Sequence, residues 1–356
     1  MKWLIVFPDP WISYSPSIIN FIEMLEKNNQ EYMIFYFDDG EFDNSKFNFN
    51  ATAVKFKKNT YFKFLKTMKL LSIVKVILFF LKILKNKNKF EYSKIVGVDS
   101  LGYIISRVFY KKVIYYSLEV SKSRLNSLIF SNFLPELLII QSTTRLNYLA
   151  DDFSEVMLIQ NSPILYGSKF NEKIYTGKLL YLGNIVKEHG IEICIEALDL
   201  MREETLYIKG VGDPSYIDFL KEKYKKLYLN NRFVIDDVYV NQSDLYGFLK
   251  NFDVGFCLYD FNEIGVNFNY QSSPSGKMFN YFMASMPVIG NNIIGLNVVN
   301  EHNAGVLLDK ICLEDIVNAV SLIKNDYVTL SSNAYVVACR YDYEKMFMSN
   351  WDRLAR

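Results

Sequence analysis

Short apolar runs alternate with longer amphipathic stretches along the whole chain. That rhythm predicts parallel strands covered by helices, because a strand buried on both faces reads as a near-continuous run of β-branched, leucine and aromatic residues. In the first half the runs 3–7, 32–37, 53–56, 94–98, 112–116, 137–141 and 156–160 read as strands. A second set opens at 178–182 and continues through 206–209, 233–236, 254–258, 287–289 and 305–308. Two α/β domains follow, as suits 356 residues, since a single core stops growing near about 250–300. The stretch 161–177 is polar and turn-rich, with Ser162-Pro163 and Gly167-Ser168, and reads as the linker.

Composition excludes several classes. Half of the residues are hydrophobic and 22% are charged, so the chain is not disordered. Cys194, Cys257, Cys312 and Cys339 are far apart, which argues against structural zinc and a disulfide scaffold and for reduced thiols. The apolar run Trp3–Phe7 is cut by Pro8 and is too brief for a signal peptide or a span, so a cytoplasmic location is expected.

Charge is distributed unevenly. The net +1 conceals eleven lysines and no acid between Lys55 and Lys89, which leaves −10 for the remainder. Within that segment 70–81 is strongly apolar but interrupted by Lys75. A helix lying on an anionic membrane surface through 55–89 fits this pattern, each lysine near the surface adding about 1 kcal/mol. A helix with its apolar side on the sheet and its lysines in water fits it too. No nucleic-acid module signature accompanies the lysines, so nucleic acid is not an expected partner.

Candidate chemistry gathers in the second half. Gly183 closes the first strand there and is followed by Lys187 and a helix expected near Ile191. Gly210-Val211-Gly212 makes a tight turn between the next strand and a helix, where the backbone is expected to approach a nucleotide closely; Ser215 stands where a dinucleotide fingerprint needs its third glycine, which disfavours NAD. Pro274-Ser275-Gly276-Lys277 opens a helix whose first N–H groups are uncovered, with a cation at the same end: a phosphate cradle, or a capped helix with no ligand.

In order and spacing, Tyr181-Leu182-Gly183, His189-Gly190, Gly210-Val211-Gly212, Phe252-Asp253-Val254 and the Ser273–Ile289 segment resemble the retaining family-four glycosyltransferases of the GT-B type. The likeness covers roughly residues 178–310. It implies an α/β GT-B fold: two Rossmann-like doubly wound domains facing a central cleft, 1–165 for the acceptor and 166–340 for the nucleotide sugar, with a helix at 341–356 crossing back. It also implies that Gly183 and Lys187 face the donor diphosphate, Ser275, Gly276 and Lys277 bind its distal phosphate, and Asn280 reaches the ribose. The chain departs from the pattern at four places, with Asn280 for Glu, Ser285 for Gly, Asn184 for Arg and His189 for Lys, and has one extra residue between Pro274 and Lys277. Glu263 is the nearest carboxylate for the donor-sugar site, or a solvated loop residue.

The first half resembles these enzymes only in organisation, because Pro8-Asp9-Pro10-Trp11 replaces the usual glycine-rich loop. Trp11 is expected either to stack on a sugar or to pack within its own domain. Both histidines, His189 and His302, lie in the second half, so no histidine of the acceptor domain is the base. Asp99 and Glu119, at strand ends, are the candidate catalytic acids, or caps of the helices after them. The expected activity is hexosyl transfer with retention, without metal or other cofactor, from a nucleotide-diphosphate sugar (UDP favoured) to a glycan or polyprenyl-linked acceptor in bacterial surface polysaccharide synthesis. A non-catalytic partner of an active transferase and a sugar-nucleotide epimerase are the alternatives.

Overall fold

The computed structural model describes every residue except 46, 57–69, 88–90, 122–132, 150–152, 168, 171, 239, 241, 266 and 356, and the side chains of 87, 242 and 243. It comprises two compact units, Met1–Gln160 with Tyr343–Arg356, and Asn161–Asp342.

The first unit is built on β1 (Lys2–Phe7), β2 (Glu31–Asp38), β3 (Ala51–Lys55), β4 (Lys94–Val98), β5 (Ile114–Ser117), β6 (Leu137–Ile140) and β7 (Val156–Leu158). Their order is β3-β2-β1-β4-β5-β6-β7, and every neighbouring pair is parallel. Trp3 to Phe7 are wholly buried, as expected of a central strand covered on both faces. The Pro16–Lys27 helix starts on a proline, whose fixed φ and missing N–H suit a first turn. It buries Ile18, Phe21, Ile22 and Leu25, one face at helical spacing.

The end of the chain belongs to this unit. Phe347, in the Tyr343–Met348 helix, packs edge-on against Phe21 at 5.6 Å. Tyr343 Oη lies 3.2 Å from Tyr116 Oη and donates to the Ser17 carbonyl at 3.3 Å, while Lys27 and Arg353 pair with Glu344 and Glu155. Truncating Phe21 to alanine would cost about 3–5 kcal/mol by leaving these rings around a void.

The second unit holds β8 (Lys178–Leu182), β9 (Thr205–Lys209), β10 (Phe233–Asp236), β11 (Val254–Cys257), β12 (Val288–Asn291) and β13 (Gly305–Leu308), in the order β10-β9-β8-β11-β12-β13 and again parallel. Alternate residues of β8 enter different cores. Leu179 and Tyr181 join the core that includes the Ile191–Ala197 and Leu313–Asn325 helices, and Leu180 joins that of the Gly276–Met283 and Tyr327–Arg340 helices. The thirteen strands of the described residues overlap the apolar runs that predict them.

Both sheets are doubly wound from the middle. The chain runs outward from β1 through β2 to β3, then resumes on the other side of β1 with β4; β8, β9, β10 and β11 repeat the manoeuvre. The carboxyl ends of β1/β4 and β8/β11 are therefore topological switch points, where diverging loops leave a crevice.

Candidate functional site

At the β8/β11 switch point the loops are held by close backbone packing. A Cβ on Gly210, whose φ is +156°, would sit 1.7 Å from the Gly183 carbonyl oxygen, and one on Gly212 would lie 2.6 Å from that of Ile185. Gly183 N–H donates to Lys209 O at 2.9 Å and Ile185 N–H to Val211 O at 2.8 Å. Gly210 and Gly212 thus let the loop after β9 lie flat on the loop after β8, and their lack of a side chain is used by protein backbone.

Tyr281 ties the same region to β11. Leu182 N–H donates to its hydroxyl at 2.8 Å, and that hydroxyl donates to Phe256 O at 3.2 Å. The ring fits because residue 255 is glycine: a Cβ there would come within 2.2 Å of it.

Lys277 stands beside this framework, in the first turn of the Gly276–Met283 helix. Its stem passes Gly183, whose built Cβ would lie 3.2 Å from Lys277 Cδ. Its Nζ is shielded from water and, among the described residues, has no hydrogen-bond partner. The faces of Tyr181 and Tyr259 flank it at 5.0 and 5.1 Å. Burial lowers its pKa, with nearby Cys257 acting the other way. The ring quadrupoles offset part of the cost of an unpaired charge, but not what a carboxylate would.

The neighbours of Lys277 are fixed too. His189 Nδ1 lies 2.6 Å from Tyr181 Oη and 3.0 Å from Asn184 O. Burial, and then the Lys277 charge, pull its pKa down to about 4, so the imidazole is neutral near pH 7. Ser275 caps the helix by position without a side-chain hydrogen bond to it; its Oγ accepts from Tyr259 O–H at 3.3 Å. Asn291 holds the Tyr259 backbone, accepting from its N–H at 2.7 Å and donating to its carbonyl at 3.0 Å.

Gly276 lies against the Asn161 side chain, 3.0 Å from where its own Cβ would be. Asn280, half-buried, is one turn further along that helix. Lys187 and Glu263 meet in an exposed ion pair of 2.7 Å, and Lys187 also lines a cavity of about 530 Å³ with Glu192, Tyr259, Asn262 and Asn291. Gly183, Ser275, Gly276 and Lys277 are thus gathered around one point, with Lys187 and Glu263 engaged with each other. The aromatic walls, Tyr181 and Tyr259, are missed by sequence reasoning. So is the pair of buried Lys209 with half-buried Asp236, 2.6 Å apart, which no local pattern announces.

In the first unit the β1/β4 switch point carries acids. Asp99 follows β4 with φ +51°, a strained conformation for a residue with a side chain. Its carboxylate does not cap its own helix but reaches the loop after β5, accepting from Leu118 N–H at 2.7 Å and Glu119 N–H at 2.9 Å. Burial pushes its pKa up to about 8; Asp9 and Glu119 add to the rise and the two N–H groups oppose it. Glu119 is raised in the same direction, first by burial and then by Asp9, with Arg145 acting against. Arg145, wholly buried, donates to Gln141 Oε1 at 2.8 Å and Leu118 O at 2.7 Å and sits 3.8 Å from Glu119. Trp11 packs edge-on against Phe7 at 5.0 Å and is half-buried, in keeping with a packing role inside its own domain.

The lysine-rich segment is described only in part: Lys57, Lys58, Lys63, Lys66, Lys69 and Lys89 lie outside the described residues. Its apolar stretch forms the Leu71–Lys87 helix, with Lys75, Phe79 and Ile83 inward and Ile73, Ile77, Leu81 and Leu84 exposed. Among the described residues no helix is long and apolar enough to cross a membrane, and no group of three or more His, Cys, Asp or Glu is placed to hold a metal ion.

No family model matches the chain, and no curated protein is similar to it in sequence. Solved structures do share its fold. HepE of Anabaena, in complex with UDP-glucose, superposes with a TM-score of 0.72 at 14% identity, over 100% of this chain and 99% of that one. TarM of S. aureus, in a complex containing UDP, gives 0.68 at 11%, over 100% of both chains. A glycosyltransferase from Rickettsia africae gives 0.68 at 13%, over 99% and 97%. The chain has the GT-B fold: two doubly wound Rossmann-like units, with the last helices returning to the first.

Proposed function

We propose that this protein is a glycosyltransferase that takes a hexosyl group from a nucleotide-diphosphate sugar, UDP-linked in the favoured case. The observation that carries the reading is Lys277 Nζ, a cation kept from water with no counter-ion among the described residues, at a switch point and beside a helix N-terminus. A diphosphate supplies what that site lacks. Phosphate oxygens beside Gly183 would accept from Lys277 and from the first N–H groups of the helix, with Ser275 and Gly276 close by. Asn280 is assigned to the ribose, and Gly210 and Gly212 shape the floor. Lys187 joins the diphosphate by releasing Glu263, which then faces the donor sugar. The relatives in shape that hold UDP or UDP-glucose support the nucleotide.

The chemistry proposed is retention without metal. The bond from the anomeric carbon to phosphate breaks as the acceptor hydroxyl bonds to that carbon on the same face, and the hydroxyl proton passes to the departing phosphate oxygen. Charge on the leaving group is the main barrier, and Lys277, Lys187 and the helix N-terminus answer it. Asp99, protonated near neutrality, orients the acceptor hydroxyl, with Glu119 beside it.

The acceptor is proposed to be a glycan or polyprenyl-linked saccharide of bacterial surface polysaccharide synthesis, met at the cytoplasmic face of the membrane. Its support is the exposed apolar stripe of the Leu71–Lys87 helix inside a lysine-rich segment. Flotation with anionic vesicles should carry the protein, and Ile77→Glu with Leu81→Glu should leave it behind. A non-catalytic partner role is the second reading; the closed Lys187–Glu263 pair favours it.

A thermal-shift screen with UDP, GDP, dTDP and CMP and their sugars tests the donor site, since a ligand of the native state alone stabilises by mass action, about 2.7 kcal/mol at 100 times its Kd. Stabilisation by one nucleotide, lost in Lys277→Ala, is expected. Silence with all of them at millimolar concentration would transfer the reading to the non-catalytic partner. The anomeric configuration of any product, read by NMR, decides retention.

A further inference from the structure

Among the described lysines of its segment, Lys75 is the one that turns inward. It lies on the buried stripe of the Leu71–Lys87 helix with Phe79 and Ile83, at i, i+4 and i+8, and is 8% exposed. Methionine or leucine would fill such a position without the cost of desolvating a charge. What the charge does there is plain from its contacts. Nζ donates to the Pro8 carbonyl at 2.7 Å and to Asp9 Oδ1 at 3.3 Å, 4.5 Å above the Phe37 ring. These residues open the loop that leaves β1 at the switch point. Its other end is held by Asn44, which donates to Pro10 O at 2.8 Å and accepts from Ser13 Oγ at 2.8 Å and Ser13 N–H at 3.3 Å. A proline-flanked loop is thus pinned at two points by side chains remote in sequence.

We infer that Lys75 is a positioning residue of the first unit: it fixes Asp9 and the β1 loop, with Asn44 as the second clasp, and through them the surroundings of Asp99. The inference rests on reading Asp99 as the group that handles the acceptor hydroxyl. Asp9 is the channel, since its charge bears on both Asp99 and Glu119. Among the described residues the charged and titratable groups around Asp99 are then Asp9, held by Lys75, from the β1 loop; Tyr115 and Glu119 from β5 and its loop; and Arg145 from the Thr143–Leu149 helix. Water around a loosely held Asp9 would weaken that field and let the acceptor surface drift.

The test needs no substrate. Carboxyl carbon NMR of aspartate-labelled protein, with Asp99→Asn to assign the signal, gives the Asp99 titration midpoint. Hydrogen exchange gives the opening of residues 9–15. In Lys75→Met the Asp99 midpoint should fall by about half a unit or more, as Asp9 turns to water, and the loop should exchange roughly tenfold faster. Asp9→Asn should lower the midpoint in the same way, and Lys75→Arg should restore wild-type behaviour. Lys75→Gln, which keeps a donor for the Pro8 carbonyl, replaces the methionine variant if that does not fold, with smaller shifts in the same direction. A midpoint that stays or rises in Lys75→Met with unchanged exchange means that Asp9 holds its place alone, and overturns the inference. If wild-type Asp99 does not titrate near pH 8, the acid–base reading fails while the exchange result still decides the clasp.

Discussion

At the β8/β11 switch point the Nζ of Lys277 is shielded from water with no counter-ion among the described residues, whereas at the end of β1 the buried Lys75 is committed to one. Lys277 Nζ is flanked by two tyrosine faces and makes no hydrogen bond among the described residues; Lys75 Nζ is used up by Pro8 and Asp9. The two sheets share a winding and a switch point, so fold alone does not explain the difference. An unpaired buried charge is tolerated where a ligand of opposite charge completes it. A saturated cluster of acids and cations suits a neutral, hydroxyl-bearing partner whose proton must be managed. On the proposed reading, the second unit would take the anionic donor and the first the hydroxyl-bearing acceptor.

The comparison breaks most completely if the β8/β9 loop packing is destroyed. Gly210→Ala places a Cβ 1.7 Å from the Gly183 carbonyl oxygen; backbone cannot yield cheaply, so we expect a loss of about 4 kcal/mol or more in urea denaturation, enough to unfold the second unit. Next in size is the pH dependence of the first unit. Because the Asp99 pKa is raised to about 8, the native state holds a proton that the unfolded chain has released. Stability from this group is therefore present at acid pH and lost as pH rises from about 4 through 8, by a few kcal/mol at most. Asp99→Asn, which keeps an acceptor for Leu118 and Glu119, should flatten that slope in melts recorded between pH 5 and 9.

Lys277→Met sharpens the contrast in the other direction. Removing an uncompensated charge should raise the melting midpoint of the ligand-free protein, and the gain should shrink as pH rises, because a lysine with a lowered pKa is relieved of its charge on the alkaline side. The corresponding Lys75→Met should lower the midpoint, since it removes the bonds that pin Pro8 and Asp9. The smallest effect belongs to the exposed Lys187–Glu263 pair. Glu263→Gln should leave the melting midpoint in place while tightening nucleotide binding at low salt by freeing Lys187, an effect that added salt should erase.

The strands were legible because each is a local run of apolar residues, and the Gly276–Met283 helix because Pro274, Ser275 and Lys277 are consecutive in sequence. Asp99 and Glu119 were legible as strand-end acids, and the structure joins them through Asp99 and the Glu119 N–H. The clasp on the β1 loop was not. Lys75 is 67 positions from Pro8 and Asn44 is 31 from Ser13, and a lysine inside an apolar helix reads first as an interruption. The tyrosine walls of Lys277 were hidden for a similar reason: Tyr181, within β8, and Tyr259, just past β11, are far apart in sequence and look like ordinary core aromatics. Gly210 and Gly212 were read for a nucleotide's approach, yet the nearest atoms to them are the protein's own carbonyls.

Calorimetric titration of UDP into wild-type protein and Lys277→Ala tests the central claim most directly. A donor cradle predicts measurable binding by the wild type and a loss of about 1.5–3 kcal/mol, roughly 10- to 150-fold in Kd, in the variant, as for a charge-assisted hydrogen bond. Equal affinity of the two proteins for UDP would contradict it.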